Sequence, residues 1–380
     1  MKISIITVVY NDVVNIQKTI NSVLEQKGIE LEYIVIDGGS TDGTVELIRK
    51  NEKKISYWES KKDNGIYDAM NKGIKHASGD IIAFINSGDW YEKDSLQKIS
   101  LWFENNNADI LICGVNMTRK GKFVTKRIPK LNEIKEKVVL GMPCCHQGIF
   151  AKKKWLEGKH SFNTKYKIAA DYDWLLGCYY EGSRIECNDI VVASYDMDGV
   201  SARKRRKTIE ELQSIAIERL KLSSVPKTRK ISNSINKFYI ERNEILAINE
   251  CLKNDKFDWE PYSWIQNDTK YSIFGCGIIG EECCRLMERL GAQVVCIWDN
   301  DSAKWGRYFM GKEICSPQNI LQDKSIIIIA STLYEEQIEQ QLKEQFGKKR
   351  EQYIIYRELR HEIGQKLIKE LHLEETKGKC

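Results

Sequence analysis

No apolar run in this 380-residue chain approaches the ~20 residues a membrane-spanning helix needs, so no transmembrane span is expected. Met1–Val9 runs straight into a strand-like segment, which argues against a signal peptide. Twelve cysteines are present, yet they include no C-x-x-C pair. The adjacent pairs Cys144-Cys145 and Cys283-Cys284 lack zinc-site spacing, and Cys113, Cys276 and Cys296 fall in buried-looking segments. Reduced thiols in a cytoplasmic protein are therefore expected. An excess of one charge is also missing: net +5 is small for this length, so only its distribution is informative.

What is present is ordinary globular material, 42% hydrophobic and 30% charged, enough for two or three domains at ~150 residues each. The organising stretch is His76–Tyr91, HASGDIIAFINSGDWY. Ile81–Ile85 is an unbroken apolar run between Gly79-Asp80 and Ser87-Gly88, the pattern of a strand buried on both faces of a parallel sheet. Asn86, Ser87, Gly88 and Asp89 follow at its carboxyl end, where open α/β sheets bind ligands. Asp89 is placed to hold a divalent cation on a diphosphate, or to cap a helix starting near Glu92; both readings stand at this point.

Ser4–Val9 reads as the first strand, with Asn11-Asp12 able to cap a helix whose Ile16, Ile20, Val23 and Leu24 share a face. Leu31–Ile36 is the next strand, closed by the turn Asp37–Gly43, and a second helix carries Val45 and Ile48. This alternation predicts βαβ units and a parallel sheet, with Asp37 facing the same crevice as Asp89. Gly114–Arg127 suggests an exposed hairpin. Tyr67, Asp68 and Asn71 fall on a helix with Met70 and Ile74, where Asp68 faces either a ligand or solvent.

Five segments carry a resemblance: TVVYN (Thr7–Asn11), VIDGGSTDGT (Val35–Thr44), DNGIYDAMNKGI (Asp63–Ile74), ASGDIIAFINSGD (Ala77–Asp89) and AADYDWLL (Ala169–Leu176). In this order they resemble family 2 glycosyltransferases, over roughly Met1 to Ser201. The resemblance implies a GT-A fold and inverting transfer of a sugar from a nucleotide donor. It implies that Tyr10 packs on the donor base and Asp37 contacts the nucleoside, with Thr7 and Asp68 counted on the donor side. Asp89 matches the last acid of the D-x-D-type motif, which bridges Mg²⁺ or Mn²⁺ and the diphosphate. Asp171 matches the general base. Two departures stand out: Gly38 follows Asp37 where many relatives have a second acid, and the metal motif reads Asn86-Ser87-Gly88-Asp89, with a single acid.

The chemistry asks for the same parts. A sugar hydroxyl attacking an anomeric carbon needs a base in hydrogen-bond reach, and the departing diphosphate gains charge that a cation neutralises. Asp171 precedes a helical stretch with Leu175, Leu176 and Tyr179, a location that suits a base at the positive end of a helix and equally an N-cap. Asp173 is the alternative base. His146 and Gln147, in MPCCHQGIF, either orient the acceptor sugar or form an internal pair.

From Arg203 to Lys237 eleven Lys/Arg stand against three Glu, and Ile209, Leu212, Ile215, Ala216, Leu220 and Leu222 recur at helical spacing. Such a basic amphipathic helix either lies peripherally on the inner face of a membrane or packs on the preceding domain. No aromatic or groove-reading motif accompanies the charge, so nucleic acid is not an expected partner. Asn254–Asp268 reads as a connector. Tyr271–Phe274, then Gly275-Cys276-Gly277-Ile278-Ile279-Gly280, a helix, and Val294–Trp298 closed by Asp299 form a dinucleotide fingerprint in strand–turn–helix context. Ile326–Ala330, a helix with Ile338, Leu342 and Phe346, and Tyr353–Tyr356 extend that sheet. With DND (Asp299–Asp301), KWG (Lys304–Gly306) and SPQNI (Ser316–Ile320), this part resembles Rossmann-like domains attached to other polysaccharide-biosynthesis proteins.

The expected organisation is an α/β GT-A domain over residues 1–202, a basic helical linker over 203–268, a smaller Rossmann-like parallel-sheet domain over 269–357 and a helical tail over 358–380. The expected function is an inverting, metal-dependent hexosyl-type transfer to a glycan or lipid-linked acceptor in cell-envelope polysaccharide synthesis, by a chain able to form homo-oligomers. Two alternatives remain. One is an NAD(P)-dependent oxidoreductase or epimerase working through Gly275, Gly277, Gly280 and Asp299; the other is a non-catalytic scaffold that binds nucleotide-sugars.

Overall fold

The apolar run after Asp80 does form a strand with every side chain out of water: Ile81 to Ile85 are between 0% and 7% exposed. In the computed structural model, which describes residues 1–119, 121–197, 199, 203–222, 229–260, 265, 268–331 and 334–377, this strand lies inside the first of two units, Met1–Phe238 and Tyr239–Cys380. The first unit opens with β1 (Lys2–Val9), α1 (Ile16–Leu24), β2 (Glu30–Asp37), α2 (Thr44–Lys50), β3 (Tyr57–Ser60), α3 (Ile66–His76) and β4 (Ile81–Phe84). It continues with β5 (Trp90–Tyr91), α4 (Ser95–Asn105), β6 (Ile110–Arg119), β7 (Lys122–Arg127), α5 (Leu131–Lys137), β8 (Ile149–Lys152), α6 (Ala170–Tyr180), β9 (Ile185–Asp196) and α7 (Arg205–Leu222). The boundary between units falls within α8 (Arg229–Leu252).

The sheet order is β3-β2-β1-β4-β8-β6-β9-β5, with β7 paired to β6. β1, β2, β3 and β4 are mutually parallel, in register Ile3↔Ile81 and Val9↔Asp37, so their carboxyl ends finish together. β8 then enters antiparallel to β4, with Ala83 opposite Phe150. That reversal sets the residues just before β8 beside the residues just after β4. One face of β4 packs Ile81, Ala83 and Ile85 against Ile3, Ile5, Ile20 and Leu96. Each such fully buried Ile or Leu side chain is worth ~1.5–3 kcal/mol by area alone.

The structure corrects several local expectations. Asn11-Asp12 does not cap α1; that helix starts at Ile16 after Asn15, and the Asp12 carbonyl accepts from Asn15 and Ile16 instead. In α7 the apolar stripe is used internally: Ile209, Leu212, Ile215, Ala216 and Leu220 are all buried. The helix is a brace for α6 rather than a free linker. Glu211 accepts from the backbone N–H groups of Lys167, Ile168 and Ala169 at 2.8–3.1 Å, satisfying donors at the start of α6. Membrane contact through 203–237 thus lacks the apolar face it needs over 205–222; residues 223–228 lie outside the described residues. Among the described residues, no helix is long and apolar enough to cross a membrane.

The second unit runs β10 (Lys270–Phe274), α9 (Ile278–Arg289), β11 (Gln293–Trp298), β12 (Tyr308–Phe309), β13 (Lys312–Cys315), β14 (Ile326–Ile329), α10 (Glu335–Glu344), β15 (Tyr353–Ile355) and α11 (Tyr356–Lys377). Its sheet order is β12-β13-β11-β10-β14-β15, parallel except for the β12–β13 pair. Phe346 lies beyond the end of α10, and Tyr356 starts a helix rather than ending a strand. The core takes Ala247, Ile248 and Cys251 from α8 and Leu359, Ile363 and Leu367 from α11. Both stretches, read from the sequence as linker and tail, therefore belong to this unit's packing.

Beneath the first sheet, Glu32 gathers Ser4 Oγ (2.5 Å), Ser78 N and Oγ (both 2.6 Å) and Lys2 Nζ (2.9 Å). Burial works to raise its pKa, but these donors prevail and hold it down to about 2. A carboxyl depressed in the folded state stabilises above its unfolded pKa and loses that contribution as pH falls through the folded value. Glu32→Gln should therefore cost about 2–3 kcal/mol near pH 7, a difference that vanishes between about pH 4.5 and pH 2. Denaturant melts of both proteins across that range check it.

Candidate functional site

β4 ends at Phe84, and the next residues fold over the carboxyl edge of the sheet. The Ser87 N–H bonds to the Val8 carbonyl at 3.2 Å, and the Ser87 hydroxyl donates to Asp12 Oδ2 at 2.6 Å. Asp89 is not a helix cap, because α4 begins at Ser95 after Asp94. Its carboxylate is instead 8% exposed, accepting from Gln147 Nε2 at 2.8 Å and from the Asp196 N–H at 3.2 Å. Burial pushes its pKa up to about 7 against those two hydrogen bonds, and the charges of Asp196 and Asp12 push the same way. Lys18, on α1, has its ammonium over the Trp90 ring and feels Glu92, Asp196 and Asp89, although burial lowers its pKa overall.

Gln147 belongs to a short 3-10 turn, His146–Gly148, immediately before β8. The antiparallel β4–β8 pairing brings that turn to Asn86, whose Nδ2 lies 2.9 Å from His146 Nε2. With Asn86 as donor, the imidazole proton sits on Nδ1, which faces Asp171 Oδ2 at 3.8 Å. Burial lowers the His146 pKa, so the ring is neutral near pH 7. Neighbouring side chains thus take the alternatives of acceptor orienter and internal pair out of the abstract: His146 approaches Asp171 while Gln147 holds Asp89.

Asp171 lies in the first turn of α6, where Ala169 is the N-cap residue, so capping is not its task. Its Oδ1 accepts from the Tyr172 N–H at 2.9 Å and lies 3.0 Å from the Tyr67 hydroxyl, which also reaches the Ile168 carbonyl at 2.7 Å. Burial, with the Asp171 charge next, raises the Tyr67 pKa far above its ordinary value, leaving it a donor. Behind the His146–Asp171 pair is a cavity of about 30 Å³ walled by Ile82, Phe84, Met70, Phe162 and Trp174. Asp173, the alternative base, is 3% exposed and both its oxygens are bonded by Arg219, at 2.6 and 2.8 Å. Its carboxylate is committed to joining α6 and α7.

The donor-side candidates separate. Thr7 is 0% exposed and its hydroxyl accepts from Tyr33 at 3.1 Å, so it lies in the core and cannot touch a ligand. Asp37 is also 0% exposed; it ties the glycine-rich turn through the Gly39 and Ser40 N–H groups and the Ser40 and Ser60 hydroxyls. Asp68 serves the first turn of α3, accepting from the Asn64 N–H at 3.0 Å, with Lys72 at 3.5 Å. Tyr10 is 66% exposed beside Gly38. Sequence reasoning missed Asp63: a Cβ at Gly38 would stand 2.7 Å from Asp63 Oδ2 and 3.3 Å from the Tyr10 ring. The space of a second acid at position 38 is therefore already held by the Asp63 carboxylate. Asn86, Tyr67, Asp12 and Lys18 were missed as well; their signal is three-dimensional, apart from the position of Asn86 at a strand end.

In the second unit Gly275, Gly277, Gly280 and Asp299 do converge. A Cβ on Gly280 would stand 2.1 Å from the Gly275 carbonyl oxygen, so the helix closes on the turn only with glycine there. Asp299 accepts from Cys276 N (3.3 Å) and Sγ (2.9 Å) and lies 3.3 Å from Lys304 Nζ. A ribose binding that carboxylate would have to displace them.

Comparison with known proteins follows the same division. Residues 4–165 match the family model Glycosyl transferase family 2, and residues 267–374 match C2185-like, N-terminal. An uncharacterized glycosyltransferase of Mycobacterium tuberculosis is 29% identical over 211 residues, 54% of this chain and 79% of the relative. A PGL/p-HBAD biosynthesis glycosyltransferase of Mycobacterium bovis is 27% identical over 187 residues, 47% of this chain and 71% of the relative. Among solved structures, residues 1–349 of S. aureus TarS in complex with UDP-GlcNAc superpose with a TM-score of 0.52 at 19% identity, covering 69% of this chain and 78% of that one.

The geometry separates the two acids of α6 experimentally. Asp173→Asn should destabilise the first unit by about 3 kcal/mol, because it strands Arg219 beside a buried site, whereas Asp171→Asn should change stability by less than about 1 kcal/mol. Chemical denaturation of the two variants decides this, and equal losses would contradict it. Residues 4–165 are thus similar to glycosyltransferase family 2, as are the named relatives, and the first unit has the fold of the GT-A glycosyltransferase structures.

Proposed function

We propose that the first unit transfers a sugar, with inversion, from a nucleoside-diphospho-sugar to a hydroxyl of a glycan or lipid-linked acceptor in cell-envelope polysaccharide synthesis. The observation that supports this reading is the His146–Gln147 link, whose adjacent side chains reach Asp171 and Asp89. Asp171 is the base: the acceptor oxygen bonds to the anomeric carbon, the bond from that carbon to the phosphate oxygen breaks, and the hydroxyl proton passes to Asp171. Tyr67 and the Tyr172 N–H fix the orientation of that carboxylate. His146, neutral and turned by Asn86, presents its Nδ1 side to Asp171 and leaves the base free of a competing cation.

Asp89 fits a divalent cation of the Mg²⁺ or Mn²⁺ type held by one carboxylate and the donor diphosphate. The fit rests on an acid disfavoured as an anion by its burial and, to a smaller extent, by the charges of Asp196 and Asp12, a site that gains from added positive charge. Such a cation would neutralise charge developing on the leaving diphosphate. Tyr10 and Asp63, which meet over Gly38, provide a ring to stack on the base and a carboxylate to accept from it. UDP-GlcNAc in the TarS complex supports a nucleotide-sugar donor, and the relative named for PGL/p-HBAD biosynthesis supports glycosyl transfer.

Asp171→Asn should lower turnover about 10²- to 10⁴-fold while leaving nucleoside diphosphate affinity near the parent value. Asp89→Asn should weaken Mn²⁺-dependent binding of the nucleoside diphosphate. Transfer assays over a panel of labelled nucleotide-sugars, with isothermal titration of the diphosphates, measure both. Near-full turnover by Asp171→Asn would overturn the assignment of the base.

A further inference from the structure

The β6–β7 hairpin has no part in the chemistry above, yet its composition is unusual. From Asn116 to Lys130 the chain holds six cations, Arg119, Lys120, Lys122, Lys126, Arg127 and Lys130, and no Asp or Glu. Every residue of β7 is exposed, including the apolar pair Phe123 (64%) and Val124 (50%). A large ring held in water beside the exposed Lys122 and Lys126 marks a contact surface rather than a packed strand.

Its place on the sheet follows from strand direction. β6 is antiparallel to β8, and β8 is antiparallel to β4, so β6 points the same way as β4. The hairpin therefore leaves the sheet by the edge that carries Asn86–Asp89. Phe123 is opposite Thr118, Thr118 is opposite Asp196, and the Asp196 N–H bonds to Asp89 at 3.2 Å. Two strand spacings, about 10 Å, separate Phe123 from the strand that touches Asp89.

We propose that this hairpin docks the first unit on an anionic lipid surface. Phe123 and Val124 enter the boundary between headgroups and acyl chains, and Lys122 and Lys126 lay their stems along it with their ammonium groups on lipid phosphates. Charge complementarity selects the occupant. The exposed Lys122 and Lys126 on a strand with no Asp or Glu suit a negatively charged bilayer, whereas an edge strand studded with lysine resists the addition of a protein strand. Docked this way, the cleft opens at the bilayer, where an acceptor carried on lipid would present its sugar. Lipid binding itself does not depend on the transfer reading, so the two fail separately.

The test is co-sedimentation of the full chain with phosphatidylcholine vesicles, with and without phosphatidylglycerol. The parent protein should bind the anionic vesicles and release with salt. The double variants Lys122→Glu/Lys126→Glu and Phe123→Ser/Val124→Ser should each bind at least about tenfold more weakly. Their melting temperatures and their transfer to a water-soluble acceptor should match the parent's. Equal binding to neutral vesicles, no vesicle binding, or parent-like partition by either double variant overturns the proposal.

Discussion

A single dipeptide, His146–Gln147, links the two candidate acids of the first unit. Gln147 holds the buried Asp89 through a 2.8 Å hydrogen bond, while His146, turned by Asn86, faces Asp171. Neither acid is near the other in sequence, and they arrive on different elements, a loop after β4 and the first turn of α6. What brings them together is the switch from parallel to antiparallel pairing at β8, which lays the turn before β8 across the end of β4. Ligands bind at the carboxyl ends of strands in such sheets because helix starts and unpaired loop amides collect there.

The rest of the unit holds that arrangement in place. Glu211 on α7 satisfies three backbone donors at the start of α6, and Arg219 on the same helix fixes Asp173 two residues beyond Asp171. The Asp171 carboxylate, bonded by the Tyr172 N–H and 3.0 Å from the Tyr67 hydroxyl, has little freedom to turn. On the other side, Asp12 accepts from the Ser87 hydroxyl, joining the loop after β1 to the loop after β4. Buried polar groups of this kind are costly unless fully bonded, so each bond that orients the site also contributes to its rigidity.

The strands and their order of use were legible in the sequence because buried parallel strands read as unbroken apolar runs, as Ile81–Ile85 does. The two acids could be picked out as candidates because they stand in recognisable motifs, Asp89 at the end of Ala77–Asp89 and Asp171 within Ala169–Leu176. The roles of their neighbours could not. Thr7 and Asp37 stand in donor-side motifs, yet strand alternation and the turn's own amides bury both. Asp63 escaped notice because its relation to Gly38 is a matter of space, not of spacing. The stretch after Arg203 looked like a linker since a basic amphipathic helix has the same pattern whether its stripe meets lipid or a neighbouring helix. Tertiary contact alone separates those cases, and here it buries Ile215 and Ala216 completely or nearly so.

The central claim is that Asp89 and Asp171 address opposite ends of one sugar–diphosphate linkage. A crystal structure of the chain with Mn²⁺ and a nucleoside-diphospho-sugar, read by anomalous scattering, tests it most directly. The account predicts the manganese peak between an Asp89 oxygen and the diphosphate, with the anomeric carbon turned toward Asp171. Diphosphate density away from this cleft, or a manganese peak that does not touch Asp89, would contradict it.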